Sequence, residues 1–185
     1  MIPAGPLRIA ARIIRAGGVV AYPTESVFGL GCDPLEESAV ERILICKHRR
    51  ASAGLIVLGA DLEQLRPYIA ASSTQLDRMC ATWPGPVTWV CDASSGAPAW
   101  ITGGRKTLAI RVTDHPVAAA LCRMSGMAIV STSANRSGRP PARSALQTRL
   151  RLGDHVDYVL PGATGGRARP SEIRDAATGA ILRPG

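Results

Sequence analysis

Short apolar runs alternate with amphipathic stretches along most of this 185-residue chain. Residues 19–21, 55–58 and 87–91 have the length and the β-branched content of buried strands. Residues 7–16 instead place apolar side chains at helical spacing, with arginines between them and a Gly17-Gly18 stop after them. Strands that alternate with helices in this way predict a mixed α/β sheet with helices packed on it.

The same patterns assign the rest of the chain. We predict helices over 33–47, 61–69, 73–81, 115–124 and 143–152, and strands over 108–112, 128–131 and 157–160, with two short strands within 173–183. The segment 94–104 is rich in Ser, Gly and Pro and is predicted to be a surface loop. Without a repeat or a linker, the length predicts a single domain over residues 1–185.

Composition excludes several classes of protein. Hydrophobic residues make up 46% of the chain and charged residues 19%, which is typical of a globular protein and excludes disorder. The apolar runs are too short to span a bilayer, so we expect no membrane partner. Five cysteines are scattered without CxxC spacing, which predicts reduced thiols in a cytoplasmic protein and no zinc site.

The formal net charge is +8, and Lys47 and Lys106 are the only lysines. An excess of positive charge suits an anionic ligand, a nucleic acid or both. Lys47-His48-Arg49 closes a predicted helix and offers two cations two residues apart, as a phosphate-bearing ligand requires. We interpret Lys47 as functional and Lys106 as incidental.

Two polar segments follow predicted strands, where open α/β sheets bind ligands. Thr24 can hydrogen-bond a ligand and Glu25 can hold a metal ion or orient a base, although a capped turn explains both residues slightly better. Residues 131–138 combine hydroxyls, an amide and a glycine, as a nucleotide-binding loop does. An Asx or Ser turn is the alternative there, but length and polarity favour binding.

Arg111 lies within an apolar predicted strand. An unpaired buried charge is very costly, so this guanidinium needs an anionic partner. An internal carboxylate and a ligand carboxylate are equally good partners, and both alternatives stay open.

Several of these segments, in one order, resemble the YrdC-like family of threonylcarbamoyl-AMP synthases. The matching segments are 22–34 (YPTESVFGLGCDP), Lys47-His48-Arg49, 83–88 (WPGPVT), 111–116 (RVTDHP), 131–138 (STSANRSG) and 170–175 (PSEIRD). They cover nearly the whole chain, and its length resembles the short single-domain bacterial form, called TsaC-like. One departure is Arg50, which stands where the family usually has a proline.

The resemblance implies an open, twisted, mixed α/β sheet with flanking helices and a basic concave active-site surface. It implies a nucleotidyltransferase that converts L-threonine, bicarbonate and ATP into threonylcarbamoyl-AMP and pyrophosphate, with Mg²⁺ carried by ATP. The product serves the N6-threonylcarbamoyl modification of adenosine next to the tRNA anticodon. Downstream transfer proteins are therefore implied partners, and tRNA itself is a candidate partner.

The resemblance also implies roles for eight residues. Lys47 and Arg49 correspond to the family's KxR element and are the implied catalytic pair. Residues on the ATP side are Lys47, Arg49, Ser133, Asn135 and Arg183, and those on the threonine side are Thr24, Arg111 and Ser171.

Two other functions are compatible with parts of the sequence. An RNA-binding module without adenylation activity would use the same positive charge, but aromatic residues total only 4%, which leaves few platforms for base stacking. A catalytically inactive relative would not need an intact KxR element or the intact SxN element to which Ser133 and Asn135 correspond. The sequence therefore favours the synthase.

Overall fold

The structure is a computed structural model that describes residues 4–185. The strands within this range are β1 Val20–Pro23, β2 Phe28–Gly31, β3 Ile56–Gly59, β4 Val87–Asp92, β5 Thr107–Val112, β6 Ile129–Ser133, β7 Tyr158–Val159, β8 Glu172–Asp175 and β9 Ile181–Arg183. The α-helices are α1 Ala4–Arg15, α2 Glu37–Lys47, α3 Ser73–Cys80, α4 Ala99–Thr102, α5 Pro116–Ser125 and α6 Ala145–Leu152. Single 3₁₀ turns lie at Ala51–Ala53, Arg66–Tyr68 and Gly153–His155.

Over the described range, the strands form one nine-stranded sheet in the order β7-β1-β2-β6-β3-β5-β4-β8-β9. Three neighbouring pairs are parallel, namely β1 with β7, β3 with β5 and β4 with β8, and the other pairs are antiparallel. The predicted mixed α/β sheet with packed helices is confirmed. No helix among residues 4–185 is both long and apolar enough to cross a membrane.

Apolar cores cover both faces of the sheet, because side chains alternate along each strand. Ala21 of β1 and Val57 of β3 belong to one buried cluster, whereas their neighbours Val20 and Leu58 belong to the other. The second cluster includes α1 and α5, and the first includes α2. Helices therefore flank the sheet on both sides.

Local sequence explains where α5 begins and ends. His115 is its N-cap, and Nδ1 of that side chain accepts a hydrogen bond from the amide of Ala118. Pro116 occupies the first helical position, where its missing N–H costs nothing. Gly126 ends the helix with φ +74°, a conformation that glycine adopts without strain.

Strand β2 was not predicted, because glycines at 29 and 31 interrupt its apolar pattern. The glycines are required by close packing against the neighbouring strands. A Cβ atom at Gly31 would lie 2.6 Å from the carbonyl oxygen of Val130 and 2.8 Å from the Tyr22 ring. Glycines that are typical of a loop therefore lie here in an internal strand of the sheet.

The helix predicted over 61–69 is wrong. That segment consists of turns and the short Arg66–Tyr68 turn, whose second residue is Pro67. Proline disfavours helical geometry in the residue before it and removes one helical donor, which explains the failure. The loop predicted over 94–104 contains α4, a single turn that ends at Gly103 with φ +67°.

Candidate active site

A cavity of about 630 Å³ lies beside the central strands, with walls from β2, β3, β4, β5, β6, β8 and β9. Among the described residues, Glu25 is the one carboxylate in the cavity lining. The arginines that line it are Arg49, Arg105, Arg111, Arg167, Arg169 and Arg183. Six guanidinium groups around one carboxylate predict an anionic ligand, because a cavity lined by one sign of charge concentrates the opposite charge.

The carboxylate of Glu25 is already engaged within the protein. Its Oε2 lies 3.3 Å from Nη2 of Arg111, and its Oε1 accepts a hydrogen bond of 2.6 Å from Oγ1 of Thr113. Both members of the ion pair are 6% exposed. Burial raises the pKa of Glu25, but the Arg111 charge and the Thr113 hydrogen bond outweigh it and hold that pKa below the ordinary 4.5.

For Arg111, the alternative of an internal partner is therefore confirmed. Its Nε is buried without a hydrogen-bond partner among the described residues, so the guanidinium is only partly satisfied. Arg111 also lines the cavity, and the threonine contact stays a prediction. The role of Glu25 in the unliganded protein is therefore to pair with Arg111, and its carboxylate also accepts the hydrogen bond from Thr113.

Thr24 forms the predicted capped turn. Its Oγ1 donates to the carbonyl oxygen of Val27 over 2.7 Å, and its amide donates to the same oxygen over 3.0 Å. The side chain nevertheless lines the cavity, and a hydroxyl that donates once can still accept. Ser171 lines the cavity from the opposite side, where its Oγ accepts from the hydroxyl of Thr88 over 3.3 Å.

Lys47 is 2% exposed and does not belong to the cavity lining. Its Nζ donates to the carbonyl oxygens of Ser133 and Asn135 over 2.5 and 3.0 Å, and to Oδ1 of Asn135 over 3.2 Å. Burial and the nearby Arg49 charge lower the pKa of Lys47 to about 8, so the ammonium form still predominates at neutral pH. A direct contact between Lys47 and a ligand stays a prediction.

Ser133 and Asn135 are hydrogen-bonded to one another. Oγ of Ser133 donates to Oδ1 of Asn135 over 2.6 Å, and Nδ2 of Asn135 donates to the carbonyl oxygens of Arg136 and Arg139 over 3.0 and 2.6 Å. Ser133 lines the large cavity, whereas Asn135 lines a smaller one of about 410 Å³ behind the loop. Their predicted roles in nucleotide binding stay predictions.

Arg49 and Arg183 face the cavity without carboxylate partners among the described residues. Nη2 of Arg49 donates to the carbonyl oxygens of Ala53 and Gly54, and Nη2 of Arg183 donates to that of Ser171. Desolvation and neighbouring arginines lower the pKa of both groups. This mutual repulsion is relieved when an anion binds between them.

Sequence reasoning missed three arginines of the cavity, namely Arg105, Arg167 and Arg169. Arg167 is carried by the glycine-rich segment 161–169, which crosses the Glu25 loop. The amide of Gly165 donates to the carbonyl oxygen of Thr24, and that of Arg167 donates to the carbonyl oxygen of Glu25, each over 3.0 Å. For Arg105 and Arg167, the available signal was the pair of glycines that directly precedes each of them.

Comparison with known proteins accounts for this combination of fold and motifs. The sequence pattern of the Sua5/YciO/YrdC family, described as "Telomere recombination", matches residues 12–185. The chain belongs to this family. A relative from Nitrosococcus oceani, named threonylcarbamoyl-AMP synthase, is 57% identical over 178 residues, which is 96% of each chain. A relative of the same name from Halorhodospira halophila is 53% identical, over 96% of this chain and 93% of its own.

Among solved structures of the family, P. abyssi Sua5 in complex with L-threonine superposes with a TM-score of 0.93 at 35% identity. The match covers this whole chain but only 55% of the Sua5 chain, so the chain spans about half the length of that relative. The fold expected from the YrdC-like resemblance is confirmed. The relatives' shared name favours the synthase over the RNA-binding module.

Arg50, where the chain departs from the usual family pattern, is exposed and precedes the Ala51–Ala53 turn. It is absent from the cavity lining. No three metal-ligating side chains lie together among residues 4–185.

The buried Glu25–Arg111 pair leads to a testable acid sensitivity. The depressed pKa of Glu25 means that the pair stabilises the fold above the unfolded-state pKa and that this contribution is lost as pH falls through the folded-state value. We expect the wild type to lose more unfolding free energy than Glu25→Gln between about pH 5 and about pH 3. Urea titrations of both proteins at both pH values measure these unfolding free energies. Equal losses in the two proteins would contradict the depressed pKa of Glu25.

Proposed function

We propose that this chain makes threonylcarbamoyl-AMP from L-threonine, bicarbonate and ATP, and releases pyrophosphate. The observation that carries the proposal is the arginine-lined cavity with a single, already paired carboxylate. Three negatively charged or carboxylate-bearing substrates must meet in this reaction, and such a cavity suits all of them. The 57% identity to a synthase over nearly the full length of both chains supports the same activity.

The threonine half of the proposed site is the buried end of the cavity. Thr24 and Arg111 are each 6% exposed, and Ser171 lines the same cavity from the opposite side. Arg111 is the proposed partner for the threonine carboxylate, because a guanidinium binds a carboxylate through paired N–H donors. Glu25 holds this guanidinium in place from the other side.

The nucleotide half of the proposed site is more open. Arg49 and Arg183 supply positive charge for the triphosphate, and Ser133 extends the site along the end of β6. Asn135 and Lys47 belong to this half through the loop that carries Ser133. Arg105, which sequence reasoning missed, adds a third cation close to Arg49.

The proposed chemistry proceeds in two steps, formation of a carbamate and its transfer to the α-phosphorus of ATP. The amine of threonine attacks the carbon of bicarbonate, and loss of water leaves a carbamate. A carbamate oxygen then attacks the α-phosphorus of ATP, and the bond to the bridging oxygen of pyrophosphate breaks. The arginines stabilise the charge that develops on the leaving pyrophosphate, which is the contribution expected of fixed cations in such a site.

Mg²⁺ enters this proposal as part of the ATP substrate. The single cavity carboxylate is committed to Arg111 and Thr113, so the lining residues do not offer a carboxylate set of the kind that holds this ion. The phosphate oxygens of ATP are suitable ligands, and bound Mg²⁺ would supply further charge neutralisation at the leaving group.

In the cell, we propose that the chain works in the cytoplasm and passes its product to proteins that transfer threonylcarbamoyl to tRNA adenosine. The product is a mixed anhydride of a carbamate and a phosphate, which water hydrolyses. A transfer reaction must therefore follow promptly. Direct binding of tRNA is part of the same proposal.

The experiment that tests the activity measures pyrophosphate release from ATP and Mg²⁺, with threonine and bicarbonate omitted in turn. We expect release only when both are present. Background-level release, together with salt-sensitive tRNA binding, would overturn the proposal in favour of the RNA-binding module.

A further inference from the structure

The ammonium group of Lys47 sits in a cage of three oxygen atoms from one loop. Two are the carbonyl oxygens of Ser133 and Asn135, and the third is Oδ1 of Asn135, at 2.5 to 3.2 Å. An ammonium group has three N–H donors, so this cage uses all of them. At 2% exposure, the side chain has no remaining donor directed toward the cavity.

Lys47 and Arg49 point in different directions because the helix ends between them. Helix α2 ends at Lys47, and His48 adopts the left-handed conformation with φ 49° and ψ 47°. Lys47 precedes this turn and its side chain reaches the end of β6, whereas Arg49 follows the turn and faces the cavity. The two cations of the KxR element therefore have different surroundings two residues apart.

The loop that Lys47 holds is connected to α2 at a second point. The amide of Ser137 donates to the carbonyl oxygen of Lys47 over 2.8 Å. Within the loop, Asn135 contacts the carbonyl oxygens of Arg136 and Arg139. Residues 133–139 are thus shaped around two groups of a single lysine, its ammonium and its carbonyl oxygen.

We propose that Lys47 is a positioning residue, which acts on the nucleotide through residues 133–139 and makes no contact of its own with the triphosphate. This inference rests on the proposed function for the identity of the nucleotide site. Its charge is needed because a buried cage of oxygens without a cation loses its hydrogen-bond donors and repels itself. Arg49 is then the member of the KxR element that meets the ligand.

The first test compares hydrogen exchange in two unliganded variants. Lys47→Met keeps the length of the side chain and removes the donors, and Arg49→Met is the matched control two residues away. We expect amide exchange in residues 133–139 to accelerate about tenfold or more in Lys47→Met and to stay unchanged in Arg49→Met. Unchanged exchange in Lys47→Met would overturn the proposal, whether or not the chain proves to be a synthase.

A second test uses the wild type, so it does not depend on a variant that folds. The chain contains two lysines, and Lys106 is exposed whereas Lys47 is not. We expect acetic anhydride to modify Lys106 in the unliganded protein and to leave Lys47 unmodified, with or without ATP. Rapid modification of Lys47 that ATP suppresses would overturn the proposal, because it would show a free amine at the nucleotide site.

The third test separates positioning from contact by kinetics. We expect Lys47→Met to lower kcat/KM for ATP by about 10- to 100-fold, as loss of a supporting residue does at other sites. Adding Asn135→Ala should then cost little more, because both changes disable the same loop. Adding Arg49→Met instead should multiply the losses.

Additive losses for Lys47→Met with Asn135→Ala would overturn the positioning role and favour direct contact. A wild type that releases no pyrophosphate would defeat the proposed function instead. The exchange and modification experiments would in that case still decide the role of Lys47 in holding residues 133–139.

Discussion

Arg111→Met is expected to remove threonine-dependent pyrophosphate release almost completely, with a loss of at least about 100-fold in kcat/KM for threonine. The substitution removes the proposed carboxylate partner and leaves Glu25 buried without its ion-pair partner. ATP binding, measured by equilibrium dialysis, should weaken far less, because Arg111 lies at the buried end of the cavity. Equal losses for both substrates would contradict the assignment.

The same substitution should also destabilise the fold, by about 3–5 kcal/mol, because one charge of a buried pair stays behind. A double variant separates stability from function. Adding Glu25→Gln to Arg111→Met removes the stranded charge, so we expect most of the unfolding free energy to return while threonine use stays lost. Denaturant titration and pyrophosphate release measure the two quantities. Recovery of threonine use in the double variant would show that Arg111 acts only on the fold.

Arg49→Met should have the opposite profile, with a loss of about 100-fold in kcat/KM for ATP and almost no cost in stability. Desolvation and the charge of Arg105 lower the pKa of Arg49, and desolvation together with the charges of Arg111 and Arg49 lowers the pKa of Arg183. Removing one of these cations reduces the electrostatic repulsion within the cavity of the unliganded protein. We expect the unfolding free energy to stay within about 1 kcal/mol of the wild type.

The matched control for Arg49→Met is Arg149→Met, on the exposed surface of α6. It removes the same charge from the chain and leaves the cavity intact. Its kcat/KM for ATP should equal that of the wild type. A comparable loss in the control would mean that net charge, and not the position of Arg49, governs ATP use.

Local sequence predicted those parts of the fold that local interactions determine. Apolar spacing located α1, and the His115-Pro116 start of α5 was apparent because capping involves residues within one turn. Strand β2 could not be predicted in this way. The need for glycine at position 31 arises from Val130, almost one hundred residues away.

The candidate site shows the same division. The resemblance predicted eight site residues, and six of them line one cavity: Thr24, Arg49, Arg111, Ser133, Ser171 and Arg183. The sequence could not show that Glu25 pairs with Arg111, or that Lys47 is enclosed by the loop at Asn135. Both contacts join residues more than 80 positions apart, so no local pattern encodes them.

The engagement of Glu25 has a consequence for how the reaction depends on pH. The residues that line the cavity include no histidine, lysine, cysteine or aspartate, and their one glutamate is held in its ionised form by Arg111. Within the part of the chain that the structure describes, the cavity thus offers no unengaged side chain to take a proton from the threonine ammonium. Threonine must then arrive as the free amine or lose its proton to bicarbonate or water. The alkaline rise in turnover at limiting threonine should follow the ionisation of the amino acid substrate and not that of an enzyme residue.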